Sequence, residues 1–190
     1  MLKGLVLKNR SYRRFDQSRS IPEETLRELL ELARLCASGA NKQPLKYIIS
    51  NGAEKNSRIF STLAWAGYLK DWEGPAEGER PSAYIVILCD KDISESSGCY
   101  HGIAAQTILM GAAEKGLGGC MVGSVQREKL QKLLNIPERY EVLLVIALGE
   151  PAEEVLLEDA GPSGSIEYYR DGKGAHHVPK RKLDEIILSI

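Results

Sequence analysis

Four stretches of this 190-residue chain carry side chains that could do chemistry. The first is Arg10-Ser11-Tyr12-Arg13-Arg14-Phe15. In an extended segment, alternation places Ser11 and Arg13 on one side and Tyr12 and Arg14 on the other. A guanidinium suits a phosphate because it donates paired hydrogen bonds in one plane, and Ser11 adds a neutral donor. Taken alone, the plainer reading is a solvated basic turn before a helix. The second stretch runs from Cys36 to Pro44 and contains Ser38, Gly39, Ala40, Asn41 and Gln43. Its small residues would let a planar ligand approach the backbone, and the two amides supply directional donors and acceptors. A helix C-cap followed by an ordinary loop would look the same.

The third stretch, Gly116 to Ser124, holds Gly116, Gly118, Gly119 and Gly123 with Met121 and Val122. It lacks the G-x-G-x-x-G spacing and follows a helix where that motif requires a strand. It reads either as a tight turn after a buried helix or as backbone that passes close to a ligand. The fourth is His176-His177-Val178-Pro179-Lys180-Arg181. The Lys180–Arg181 pair could reach an anion, although a solvated charge run is the plainer alternative. The two histidines have no partner at metal-ligand spacing, so no metal site is expected, and His101 reads as structural. There is no nucleophile elbow, H-E-x-x-H or P-loop.

Composition narrows the setting. Hydrophobic residues make up 43% and charged residues 27%, with 25 basic against 26 acidic side chains. Such balance gives no overall drive towards nucleic acid or an anionic membrane. The longest apolar run, Val142–Leu148, is a buried strand rather than a membrane span. No pair among Cys36, Cys89, Cys99 and Cys120 has C-x-x-C spacing. With no export signal at the N-terminus, the expectation is a cytoplasmic protein with reduced, buried thiols. The length suits one domain spanning residues 1–190.

The elements that must position these residues follow from periodicity. A helix is predicted from Ser20, with Ser20 and Glu23 as a capping box and Leu26, Leu29, Leu30 and Ala33 on its apolar face, ending at Gly39. A strand is expected near Tyr47–Ser50 and a helix over Ala53–Tyr68. Asp71–Ser82 should be an exposed loop. Ala83–Cys89 reads as a central strand and Gly98–Lys115 as a helix buried on several faces. A short helix over Gln126–Leu134 and a strand over Glu141–Leu148 complete the regular part. The mixed order favours an α+β or irregular α/β architecture. Gly149–Pro179 shows no sustained periodicity, which is unusual for so long a stretch. It is either a tail that wraps a partner or, more simply, a surface loop before a docked apolar segment.

The four stretches occur in an order that resembles the nitroreductase family. Arg10, Ser11 and Arg13 resemble its flavin-binding start, and Ser38, Asn41, Gln43 and Pro44 resemble its S-x-x-N-x-Q-P motif. Glu114–Val125 resembles its glycine-containing segment, Asn135–Pro151 the strand and LG-x-P that follow, and Lys180 and Arg181 its C-terminal phosphate contact. The resemblance implies an α+β fold with a mainly antiparallel central sheet flanked by helices. It further implies a homodimer with FMN at the interface and a C-terminal tail crossing to the partner. Arg10, Lys180 and Arg181 would offset the phosphate. Arg13 would lie towards the flavin N1–O2 edge, while Ser11, Ser38, Gly39, Ala40, Asn41, Gln43, Met121, Val122, Gly123 and Ser124 would surround the cofactor. NADH or NADPH would reduce the flavin and a nitroaromatic, quinone or similar acceptor would reoxidise it, by a ping-pong cycle with the chemistry at flavin N5 and no catalytic side chain. Flavin storage without turnover, flavin fragmentation, dehalogenation and anion binding without flavin are the alternatives.

Overall fold

The computed structural model describes residues 2–188. Helix α1 (Leu2–Lys8) leads through an extended Arg10–Arg14 segment into β1 (Phe15–Asp16). The chain continues through α2 (Glu23–Arg34), β2 (Leu45–Ser50), α3 (Ala53–Phe60), β3 (Ala83–Asp90) and α4 (Tyr100–Glu114). Then come β4 (Gly118–Val122), α5 (Arg127–Leu134) and the twelve-residue β5 (Tyr140–Pro151). A smaller unit follows, made of β6 (Val155–Asp159), β7 (Tyr169–Arg170) and β8 (His176–Lys180), and α6 (Leu183–Ile186) comes last.

The main sheet is antiparallel throughout, with β5 at its centre. One edge of β5 pairs with β3, which pairs with β2. The other edge pairs first with β4 and then with β1. All eight residues of β3 are buried, so both faces of the sheet must be covered. Strand alternation divides them. Ala83, Ile85 and Ile87 join Leu26 and Leu29 of α2 and Ala104, Ala105 and Ile108 of α4. Tyr84, Val86 and Leu88 join Ile59 of α3 and Leu130 of α5. The result is the expected α+β layering of an antiparallel sheet between helices.

Helix α4 is apolar nearly all round because it is sandwiched between the sheet and α2. Gly111 marks the crossing: a Cβ there would meet the side chains of Leu29 and Leu32. Gly119 in β4 is the tightest point, since an added Cβ would stand 2.7 Å from the Ala147 carbonyl oxygen, which is backbone and cannot move aside.

Several local expectations are corrected. Pro22 is extended (φ −59°, ψ 145°) and serves as the N-cap of α2, with no side-chain cap. Ser20 therefore sits too far upstream to form the capping box. The helix also ends at Arg34 rather than Gly39, because the chain turns early into a loop with left-handed backbone at Ala40, Asn41 and Gln43. Helix α3 stops at Phe60, not Tyr68. The Thr62 hydroxyl and N–H both bond the Ile59 carbonyl, and Leu63 leaves to bridge Val125. The 71–82 segment is anchored rather than loose: Pro75, Pro81 and Ser82 are buried, and the Phe15 N–H donates to the Glu79 carbonyl. Cys89 and Cys120 are buried free thiols, but Cys99 is exposed and Cys36 only half-buried. Residues 155–180 contain the short strands β6, β7 and β8, and Tyr168 and His176 from this region contact Arg13 of the same chain.

Candidate functional site

The Arg10–Arg14 segment runs alongside β4. Ser11 forms a parallel bridge with Gly119, and the Tyr12 N–H donates to the Gly119 carbonyl at 3.0 Å. The Tyr12 ring lies against Gly118, where a Cβ would clash with it. The glycines of the third stretch thus divide. Gly118 and Gly119 permit the N-terminal segment and the core to approach, while Gly123 is exposed with open space around its Cβ position. Beside it, Met121 is half-buried, Val122 buried and Ser124 exposed.

The arginines are placed by the tail. Arg13 Nη1 donates to the Ser11 carbonyl at 3.2 Å and meets His176 Nε2 at 3.1 Å. Its guanidinium carbon stands 4.7 Å from the centre of the Tyr168 ring, in cation–π range. His176 is fully buried, and burial with Arg13 alongside lowers its pKa to about 4. It is therefore neutral near pH 7 and its Nε2 accepts a hydrogen bond from Arg13, which puts its own proton on Nδ1. The backbone N–H groups of Arg13 and Arg14 both donate to Glu153, and Glu153 pairs with Arg170 at 3.0 Å. Arg170 in turn lies over the Trp72 ring at 4.2 Å. Arg10 is left with a buried Nε that has no protein partner. An unpaired guanidinium donor beside the exposed Ser11 is a fit for an anionic group such as a phosphate.

The second stretch lies elsewhere. The Ser38 hydroxyl accepts from the Gln43 N–H at 3.1 Å, and the Gln43 side-chain amide donates to the Asn41 carbonyl, also at 3.1 Å. Left-handed backbone at Ala40 and Gln43 is costly for residues with a Cβ and is held by these bonds. Gly39 lies against the Tyr100 hydroxyl, with no room for a Cβ. Ser38 and Gln43 line a cavity of about 530 Å³ that Leu30, Tyr47 and Ala104 also wall. Burial pushes the Tyr47 phenol up to about 12, so it remains a neutral donor.

The structure brings Arg10, Ser11 and Arg13 next to the glycine strand. It does not bring Ser38–Gln43 or Lys180–Arg181 to them within one chain. Gly39 sits at the first residue of α4, whereas Gly119 packs on Leu109 nine residues later, about 13 Å along the helix axis. Lys180 is exposed at the end of β8, four residues past the His176 that touches Arg13, and Arg181 follows it into solvent.

Sequence reasoning missed Glu153, Tyr168 and Arg170. Only the histidine pair hinted at them. Strand alternation sends His176 to Arg13 and turns His177 the other way, to Glu158 at 2.9 Å and Asp171 at 3.4 Å. His101 makes only a local contact, with Ser97.

The model of the nitroreductase family matches residues 6–80 and 99–150. A Methanothermobacter thermautotrophicus protein that bears the provisional name NADH dehydrogenase/NAD(P)H nitroreductase is 30% identical over 151 residues, covering 76% of this chain and 74% of that one. The iodotyrosine deiodinase of Thermotoga neapolitana is 24% identical over 168 residues, covering 80% of this chain and 89% of its own. Among solved structures, the FMN-dependent nitroreductase of Clostridium difficile R20291 superposes with a TM-score of 0.66 at 23% identity, covering 81% of this chain and 89% of that one. The nitroreductase family protein of Streptococcus pneumoniae TIGR4 reaches 0.72 at 17% identity with both chains fully covered. At such identities the structural matches speak for the fold alone. The family model covers well over half of the sequence, including the Arg10–Arg13, Ser38–Pro44 and Gly116–Ser124 stretches, and the chain belongs to the nitroreductase family.

Proposed function

We propose that this protein is an FMN-dependent oxidoreductase that uses NADH or NADPH to reduce nitroaromatic, quinone or similar electron-poor acceptors. The observation that carries the reading is the Arg10–Arg13 cluster beside β4. It presents a buried, unpaired Arg10 Nε, the exposed Ser11 and a positioned Arg13 in the segment where the family model begins. FMN, when bound, supplies the hydride chemistry that links the two substrates in a ping-pong cycle.

The chain's own residues bind and orient. Arg10 and Ser11 hold the phosphate, and Arg13 offers a fixed cation towards the N1–O2 edge of the ring system. A preorganised cation stabilises charge that develops during reduction without reorganising at that moment. The neutral His176 fixes Arg13 without cancelling its charge. Gly123 and Ser124, with Met121 and Val122 behind them, leave open backbone for the ring.

Ser38, Gly39, Ala40, Asn41 and Gln43 complete the site from a second copy, as do Lys180 and Arg181 at the C-terminal end. Their separation from Arg13 within one chain supports a homodimer, and so does the exposed apolar Ile103 on α4. The short stretch beyond β8 carries exposed Leu183, Ile186, Ile187 and Leu188, and it is the segment proposed to cross.

FMN titration of the wild type and of Arg10→Gln tests this reading. The substitution should weaken FMN binding about tenfold or more, the effect of losing a charge-assisted phosphate contact. Equal affinity would remove Arg10 from the site. Reductive dehalogenation on the same fold is the second reading, favoured by the iodotyrosine deiodinase relative, and halide release from a halogenated phenol decides it.

A further inference from the structure

A second cavity shares no lining residue with the Arg10–Arg13 cluster. It occupies about 230 Å³ between the turn at Gln17–Ser20, the start of α3 and the first residues of β3. Three side-chain atoms of its lining are buried without a partner: Arg80 Nε, Ser82 Oγ and the Tyr84 hydroxyl. Eight such atoms occur among the described residues, so three in one small cavity is a concentration. Each has given up water and recovers that cost only when a hydrogen-bonding partner arrives.

The walls select for charge. Among the described residues, Arg80 is the one charged side chain lining the cavity, and it forms no salt bridge. The Phe60 ring holds its guanidinium at 4.4 Å. The neighbouring carboxylates are occupied elsewhere: Glu79 pairs with Arg14, and Glu54 pairs with Arg58. The Gln17 side-chain Oε1 accepts from the Gly78 and Arg80 N–H groups, so its Nε2 is the end left for a ligand. Asn56 accepts from the Ser50 hydroxyl at 2.7 Å and donates to the Ser82 carbonyl at 2.8 Å. It braces the wall. Helix α3 begins at this wall with Ala53, and its N-cap is Gly52, which has no side chain to cap the first N–H groups. That end of a helix favours negative charge. Tyr84 is 1% exposed, and burial pushes its phenol well above the usual value, so it stays a donor.

We propose that this cavity binds a small oxyanion, a phosphate or carboxylate group, gripped by the Arg80 fork and capped by the Ser82 and Tyr84 hydroxyls. The site is independent of the flavin reading, because it shares no residue with the Arg10–Arg13 or Ser38–Gln43 stretches.

Calorimetric titration of FMN-saturated protein tests the proposal, with sodium phosphate in one series and sodium acetate in another, at an ionic strength held constant with chloride. One saturable site per chain is expected for at least one anion. Binding of phosphate alone assigns the site to phosphate groups, and binding of acetate alone assigns it to carboxylates. Arg80→Gln should weaken binding about tenfold or more, and Tyr84→Phe about threefold or more, with flavin absorbance unchanged in both. Tyr84→Phe keeps the ring and its packing, so it decides the matter if Arg80→Gln does not fold. No saturable heat with either anion, or equal affinity in the wild type and both variants, overturns the proposal. Protein that takes up no FMN can be titrated in the same way, and dependence on Arg80 and Tyr84 still separates this site from the arginines at the N-terminus.

Discussion

Glu153 shows how one side chain can order a site it does not belong to. Its carboxylate is 1% exposed, accepts from two consecutive backbone N–H groups, and pairs with Arg170. Those N–H groups belong to Arg13 and Arg14, so the tail fixes the backbone from which Arg13 projects. Glu153→Ala leaves a nearly buried Arg170 unpaired and two backbone donors unsatisfied. Breaking a buried pair from one side costs about 3–5 kcal/mol. Denaturant unfolding should show that loss, whereas Glu158→Ala, which removes a half-exposed partner of His177, should cost about 1 kcal/mol or less. Equal losses would mean that Glu153 is no more than a surface charge.

At the scale of elements, the tail unit is governed by two adjacent histidines of opposite behaviour. His176, facing Arg13, Glu153 and Arg170, has a pKa lowered from 6.5 to about 4, chiefly by burial. A depressed histidine gives stability that is present above 6.5 and is lost as pH falls towards 4, on the order of 3 kcal/mol in all. His177 is raised, first by its hydrogen bond to Glu158 and then by Asp171. Its contribution is complete below 6.5 and fades as pH rises through the raised value. Amide protection in residues 153–180, taken as exchange relative to the intrinsic rate at each pH, should therefore be greatest between the two limits. His176→Gln should remove the acid limb and His177→Gln the alkaline one. Protection that does not vary with pH in the wild type would contradict this assignment.

The same elements explain what the sequence made legible. Long strands and helices with clear periods, such as Ala83–Asp90 and Tyr100–Glu114, were readable because burial imposes period 2 or an all-apolar helix. The tail was not. Its strands are two to five residues long, and β6 pairs in parallel with β8 across an intervening turn and strand, so no local pattern betrays them. The basic cluster was visible as chemistry, but its supports, Glu153, Tyr168 and Arg170, lie some 140 residues or more away. Such partners are set by tertiary packing alone. The Ser38–Gln43 loop was legible as small and polar, yet its left-handed backbone at Ala40 and Gln43 runs against residue preference.

Among the described residues, exposed apolar side chains include Val6 and Leu7 on α1, Leu35 just past α2, Ile103 on α4, and Leu183, Ile186, Ile187 and Leu188 at the C-terminal end. Helix α1 packs beside α4. The proposed dimer would bury these side chains, and on that proposal the Ser38–Gln43 loop of one protomer meets the other's arginines. Sedimentation should find a dimer, and Ile103→Asp should shift it to monomer and lower FMN affinity together. A monomeric wild type that retains FMN would detach the cofactor from the interface. The central claim is flavin-dependent reduction, and the visible spectrum of the purified protein tests it most directly, recorded without oxygen before and after adding NADH or NADPH. A yellow protein is expected, or one that turns yellow with added FMN, whose oxidised-flavin absorption is bleached by the nicotinamide and restored by a quinone. A colourless protein that takes up no FMN, or a flavin that stays oxidised with both nicotinamides, would contradict it.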